Sequence, residues 1–229
     1  MANGLHSLRA ILFDFGGTLD GPGEPWIERF ALAYRAAGID VTPDRLHDAV
    51  GHGTRESYRS PQVARFGLYD TVAFHVACQF EHLQIRNDRA AATIVNTFVT
   101  RTAAALVDSH VLLARLASRF RLGVVSNFYG NVERILVECR IAPLLGTIID
   151  STVVGVSKPD PDIFALAVKR LGVSADETLF VGDSLEQDIK PARAAGLRTA
   201  WLVGARTDFV VSDADLCLRS LGELDALLG

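Results

Sequence analysis

The sequence predicts an α/β protein: a Rossmann-like parallel sheet wrapped by helices, with an all-helical segment inserted after the first strand. Three observations carry that reading. Short β-rich runs recur that are apolar on both faces, as buried parallel strands are. After residue 105 they alternate with amphipathic helical segments, and between residues 21 and 105 the strand signal gives way to helical periodicity. At 229 residues the chain can bury a substantial core, as one large domain or as one domain carrying a smaller insert.

The first strand is AILFD (10–14), followed by two glycines, Thr18 and a second acid, Asp20. GPGEP (21–25) reads as a hinge into the insert, whose helices are PWIERFALAYRAAG, TPDRLHDAVG, LYDTVAFHVACQFEHL and DRAAATIVNTFVTRTAAAL. Between the second and third of these, GHGTRESYRSPQVARFG (51–67) is the least regular stretch. A separate helix, SHVLLARLASRF, is expected to start behind Asp108 and lead into the strand LGVVS (122–126). The helix NVERILVECR then leads to the strand GTIID (146–150). PDIFALAVKRLG follows, with Asp160 ahead of it, Pro161 at its first position and Gly172 as its stop. The strands TLFVG (178–182), TAWLV (199–203) and DLCLR (215–219) and a short last helix, LGELDALL, complete the chain. The division expected is a core of residues 1–20 and 106–229 around an insert of 21–105.

Net charge is −4 and the isoelectric point about 5.9, with the 23 basic residues spread through the chain. That distribution gives no electrostatic footprint for nucleic acid and suits a small-molecule partner. Cys78, Cys139 and Cys217 are far apart in apolar surroundings with no CxxC pair, so buried, reduced thiols are expected. The opening MANGLHSLRA lacks a basic start followed by a long apolar region, and no uninterrupted run of about 18 apolar residues occurs. The expectation is a soluble cytoplasmic protein, monomer or homodimer, without membrane association.

Four sites fall at the C-terminal ends of predicted strands, where open α/β sheets bind ligands: Asp14 with Thr18, Ser126, Lys158, and Asp183 with Asp188. Asp14 and Asp183 would repel a phosphate dianion in a poorly solvated pocket unless a cation lay between them, and a hard, all-oxygen site points to Mg²⁺. Asp14 could then attack phosphorus, with Lys158 balancing charge and Ser126 hydrogen-bonding a phosphoryl oxygen. Glycines at 16 and 17 let the backbone come close. Asp188 reads equally well as a helix cap.

The motifs DFGGTL, VVSN, SKPDPDIF and GDSLEQD, in that order and in those strand contexts, resemble the haloacid dehalogenase superfamily of aspartate-nucleophile hydrolases over nearly the whole chain. The resemblance implies that Asp14 is nucleophile and metal ligand. It implies further that the Gly16 carbonyl, Asp183 and Asp188 complete a Mg²⁺ site, and that Ser126 and Lys158 hold the phosphoryl group of a small phosphorylated metabolite. Gly17, Thr18 and Asn127 would support or contact that group, and the helical insert would be a mobile cap that selects substrate.

One position departs from the pattern. The superfamily's phosphatases carry an acid–base Asp two residues after the nucleophile, and this chain carries Gly16. A general acid contributes roughly 10²–10⁴-fold, most where the leaving group is a basic alkoxide. Either the substrate has a good leaving group, or Asp20, Glu24 or His52 substitutes, or the chain binds a phosphorylated ligand or a protein with little turnover. The phosphonate-cleaving branch needs a cap lysine, and no lysine precedes Lys158. The dehalogenase branch lacks the acidic pair at 183 and 188. His75 and His82 read as packing residues, Trp26, Phe30 and Tyr34 as core of the insert, Arg55, Arg59 and Arg65 as a solvated charged loop, and Phe128 and Tyr129 as candidate pocket wall.

Overall fold

The computed structural model describes residues 7–207 and 214–228; residues 1–6, which open the stretch read for a leader, lie outside it. The six strands form within one residue of their predicted limits: β1 Ala10–Phe13, β2 Arg121–Ser126, β3 Thr147–Asp150, β4 Thr178–Gly182, β5 Arg198–Leu202 and β6 Leu216–Leu218. All pair in parallel, in the order β3-β2-β1-β4-β5-β6. Central β1 is buried on both faces: Ile11 and Phe13 point into one apolar cluster, Ala10 and Leu12 into the other. That is why its residues read as a continuous apolar run.

The helices are α1 Trp26–Ala36, α2 Pro43–Arg59, α3 Leu68–Leu83, α4 Asp88–Leu116, α5 Val132–Glu138, α6 Ser151–Val154, α7 Asp162–Leu171, α8 Lys190–Ala194 and α9 Glu223–Leu227. Helix α7 starts one residue later than expected, with Pro161 at the cap position, and stops at Gly172 in a left-handed conformation. Helices α1 to α4 pack on one another and lie between β1 and β2 in the chain.

Two expectations about the helical segment are corrected. Residues 51–59 are not irregular but continue α2, and 61–65 form a 3₁₀ turn. Gly53, which reads as a breaker, is a packing residue instead: a Cβ there would lie 2.5 Å from His75 Nδ1 and 3.0 Å from the His75 carbonyl, so its absence lets α2 approach α3. The helix expected to begin behind Asp108 is the second half of α4, which runs 29 residues without a break. Ser109 caps nothing there; its Oγ donates to the Leu19 carbonyl at 2.7 Å. Among the described residues α4 is also the helix long and apolar enough to cross a membrane. Its stripe Ile94, Phe98, Thr102, Leu106 and Leu113, at helical spacing, is buried. No disulfide joins the cysteines; Cys78 is buried as expected, whereas Cys139 and Cys217 are only half-buried.

Candidate active site

The sheet order reverses between β1 and β4, and the crevice outside the strand ends at that point is where doubly wound folds take ligands. Asp14 stands one residue past β1, its N–H bonded to the Val181 carbonyl of β4 at 2.9 Å, and Asp183 stands one residue past β4. Lys158 comes from the loop between α6 and α7. Asn127, just past β2, holds that loop at both ends of one residue: its Nδ2 donates to the Lys158 carbonyl at 2.9 Å and its Oδ1 accepts from the Lys158 N–H at 2.8 Å. Asp188 lies in the wide turn Leu185–Ile189, whose Ile189 N–H reaches back to the Ser184 carbonyl.

These elements bring the charges together. Lys158 Nζ donates to Asp14 Oδ1 at 2.7 Å and to Asp188 Oδ1 at 2.6 Å, and all three side chains are buried. Asp188 Oδ2 accepts from the Ser184 N–H at 3.0 Å, so its carboxylate caps no helix toward residues 190–194. Thr18 Oγ1 is 3.5 Å from Asp183 Oδ1. Burial, and then the charges of Asp14 and Asp188, push the Asp183 carboxyl up to about 8 against the pull of Arg206. Burial also pushes Asp188 up, against Lys158. Burial alone would lower the Lys158 ammonium, but Asp14 and Asp188 outweigh it and hold the group above its ordinary range.

Ligand oxygens of Asp14, Asp183 and Asp188 lie within 4.8 Å of one another. Three buried carboxylates against one fully committed lysine and a half-buried Arg206 leave an excess of negative charge, and a hard divalent cation fits that donor set.

The turn after Asp14 is locked from below. Gly17 has φ +89° and packs so tightly that a Cβ would lie 2.6 Å from Asp183 Oδ2. Its N–H donates to Asp20 Oδ1 at 2.6 Å, and Gly17 and Thr18 stay off the wall of the site cavity. Both hold the turn together. Asp20 is fully buried: Oδ1 also pairs with Arg29 Nη2 at 2.7 Å, Oδ2 accepts from Trp26 Nε1 at 2.7 Å, and Arg29 Nη1 bridges the Asp20 carbonyl and Thr102 Oγ1, each at 2.8 Å.

With both oxygens occupied by donors, Asp20 is a strut between the turn and helices α1 and α4, which removes it as a replacement acid. Glu24 pairs with Arg101 at 3.1 Å on a separate cavity, and His52 stacks on His82 at 4.9 Å away from the site wall, so neither replaces it. Beside position 16 stands Trp26, whose Nε1 would lie in ordinary contact, 3.7 Å, from a Cβ there.

Above the charged floor opens a cavity of about 470 Å³. Ser126, Lys158 and, from the loop after β2, Phe128 and Tyr129 line it from the strand ends, and Trp26, Val50, Thr54 and His75 line it from helices α1 to α3. Phe128 and Tyr129, expected here, are set by Asp150 at the end of β3, which accepts from the N–H groups of Gly130 at 2.9 Å and Val132 at 3.2 Å. Trp26 and His75, read as packing residues from sequence, have both roles.

His75 stacks on Phe30 at 5.1 Å; Gln79 Nε2 donates to its Nδ1 at 2.7 Å, which leaves Nε2 to donate to Thr54 Oγ1 at 3.3 Å. Burial drives its pKa down to about 4, so the ring is neutral near pH 7. Arg206, Thr54 and Trp201, also on the wall, carry no motif and were invisible in sequence. Arg55, Arg59 and Arg65 are exposed, two of them in or at the end of a helix and not a loop, and none lines the cavity.

A doubly wound sheet with an Asp–Lys–Asp bridge at its switch point defines the class of protein. Residues 8–196 match the haloacid dehalogenase-like hydrolase family, and the chain belongs to it. Among curated relatives it is 34% identical over 116 residues to the glyceraldehyde 3-phosphate phosphatase of Methanocaldococcus jannaschii, matching 49% of this chain and 51% of that protein. It is 32% identical over 120 residues to the phosphoserine phosphatase of Thermus thermophilus, 51% of this chain and 48% of the other. The chain thus spans about half the length of these relatives. A 28% match to human haloacid dehalogenase-like hydrolase domain-containing protein 3 covers 90% of this chain and 87% of that one.

The fold is shared with magnesium-bound YfnB of Bacillus subtilis, with a TM-score of 0.61, 23% identity and coverage of 96% and 98%. It is shared equally with the L-2-haloacid dehalogenase RSc1362, with a TM-score of 0.64, 19% identity and coverage of 96% and 98%. The fold therefore does not choose between phosphoryl and halide chemistry, and the residues of the site must.

Proposed function

We propose that this hydrolase is a Mg²⁺-dependent phosphatase that transfers a phosphoryl group from a small metabolite to Asp14 and then to water. The observation that carries the reading is the buried bridge from Asp14 through Lys158 to Asp188, with Asp183 beside it.

Asp14, the Gly16 carbonyl, Asp183 and Asp188 would hold the metal, which when bound would neutralise the carboxylates and draw charge from the phosphoryl oxygens. Lys158 engages Asp14 through Oδ1, which leaves Oδ2 to attack phosphorus in line with the departing oxygen. Lys158 and Ser126 then stabilise charge on the phosphoryl oxygens, and Asn127 keeps Lys158 in place. Helices α1 to α3 with the first half of α4 serve as the cap.

Among the described residues, no acid on the cavity wall outside the proposed metal set stands ready to protonate a leaving alkoxide: Glu186, at the rim, is exposed and ion-paired with Lys190. Trp26 stands beside Gly16, His75 is neutral and committed at both ring nitrogens, and burial raises the Tyr129 hydroxyl far above its usual range. Substrates with weakly basic leaving groups fit such a site. The same observation favours a second reading, a relative that binds a phosphorylated ligand with little turnover. Turnover on the order of 1 s⁻¹ on any substrate would exclude that reading.

The test is inorganic phosphate release by the wild type and Asp14→Asn, with and without Mg²⁺. The proposal expects release that needs both metal and Asp14, with a loss of at least about 10³-fold in the variant, since the covalent step goes with its nucleophile. Release unchanged in Asp14→Asn would refute it.

A further inference from the structure

The cavity above Asp14 divides by chemistry, and the division says what kind of leaving group it takes. In-line displacement puts the leaving oxygen on the far side of phosphorus from Asp14, toward the walls away from the strand ends. The lining that the helical insert lays over the strand ends is aromatic and apolar, with Trp26 5.9 Å from His75 between ring centroids and Val50 on the same space, and Phe128 and Tyr129 of the loop after β2 continue it, Phe128 lying 5.8 Å from Trp26 and 4.8 Å from Tyr129. Among the described residues the cations on the wall are Lys158 and Arg206, and neither is uncommitted. Lys158 is shared between Asp14 and Asp188, and Arg206 Nη1 donates to the Asp183 carbonyl at 2.7 Å while Nη2 lies 3.7 Å from Asp183 Oδ2. Among the described residues the remaining charged group on the rim is Glu186, which is exposed and paired with Lys190.

We propose that the leaving-group half of this cavity selects a flat, uncharged, apolar group, so that the substrate class is an aryl or similarly conjugated phosphate and not a phosphorylated hydroxy acid. The inference rests on the phosphatase reading and narrows it. Two independent features agree on it. Rings stack edge to face and offset with a planar guest in such a pocket, and a volume of about 470 Å³ is of ligand size. An aryl oxide of pKa near 10 also departs without the proton donor that Gly16 cannot supply. A carboxylate on the leaving group, as in phosphoserine, would instead be desolvated against the aromatic lining, with no uncommitted cation among the described wall residues to meet it.

The test separates this inference from the reading beneath it. Both tryptophans of the chain, Trp26 and Trp201, line the cavity, so intrinsic fluorescence reports its occupancy. Non-hydrolysable phenylphosphonate, methylphosphonate and 2-carboxyethylphosphonate are titrated into the full chain with Mg²⁺. The inference expects phenylphosphonate to bind at least fivefold more tightly than methylphosphonate, with 2-carboxyethylphosphonate no tighter than the methyl compound. A phenyl advantage below fivefold, or a carboxyethyl advantage, overturns it while leaving a phosphate site in place. No binding of any of the three overturns the phosphate site as well. Val50→Arg, which supplies the cation the wall lacks, should reverse the order of the phenyl and carboxyethyl compounds; an unchanged order would count against the wall assignment.

Discussion

The floor and the far wall of the cavity are built on different principles. The floor is four buried, paired charged side chains: Asp14 and Asp183 each stand one residue past a strand, Lys158 is held by a reciprocal backbone bracket, and Asp188 sits in the turn after β4. The wall is aromatic and comes from three places in the chain, α1, α2 with α3, and the loop after β2. In the proposed reaction the floor would set which bond breaks and the wall which group leaves. The contrast teaches where variation is tolerated: a doubly wound sheet end can host one chemistry while the surface laid over it changes substrate.

The link between the halves is the strut Asp20–Arg29, and breaking it should have the largest effect on folding. Arg29→Met strands the Asp20 carboxylate and costs about 3–5 kcal/mol, the usual penalty for an uncompensated buried charge, read as a fall in urea midpoint without change in slope. A loss under about 1 kcal/mol would mean that the halves are not coupled through it.

His75 comes next. Its folded-state pKa of about 4 lies below the unfolded value of 6.5, so the unfolded chain binds the extra proton between those values. Stability contributed by the neutral ring is present above pH 6.5 and is lost as pH falls toward 4, by up to about 3 kcal/mol. Urea melts at pH 4.5 and 7 should show that difference shrinking in His75→Gln.

The two glycines of the nucleophile turn should separate most finely. Gly17→Ala forces a left-handed residue and pushes on Asp183, costing about 1–2 kcal/mol from the backbone alone and weakening Mg²⁺ binding in a calorimetric titration. Gly16→Ala meets nothing closer than 3.7 Å and should change stability by less than about 0.5 kcal/mol.

The same contrast explains what was legible in the sequence. Strands and floor were, because a buried parallel strand reads as an unbroken apolar run and its chemistry sits just beyond the last apolar residue: Asp14 after Phe13, Asp183 after Gly182. Of the wall only Phe128 and Tyr129 were, because they follow the Ser126 strand end; the rest was not, because whether Trp26 or His75 faces a core or a cavity depends on neighbours far away in sequence. Gly53 shows the same limit in reverse: propensity ends a helix at such glycines, and packing against His75 overrides it. Asp20 as a candidate acid failed for a third reason, since its partners Trp26 and Arg29 are placed only once α1 has docked.

The central claim is that the site works without a proton donor, and the dependence of kcat/KM on leaving-group pKa tests it most directly. Across a series of aryl phosphates with Mg²⁺, the account predicts a steep fall as leaving-group pKa rises, with alkyl phosphates at least about 10²-fold slower than aryl esters. A flat dependence, with alkyl esters matching aryl ones, would show that an acid acts in the site and would contradict the account.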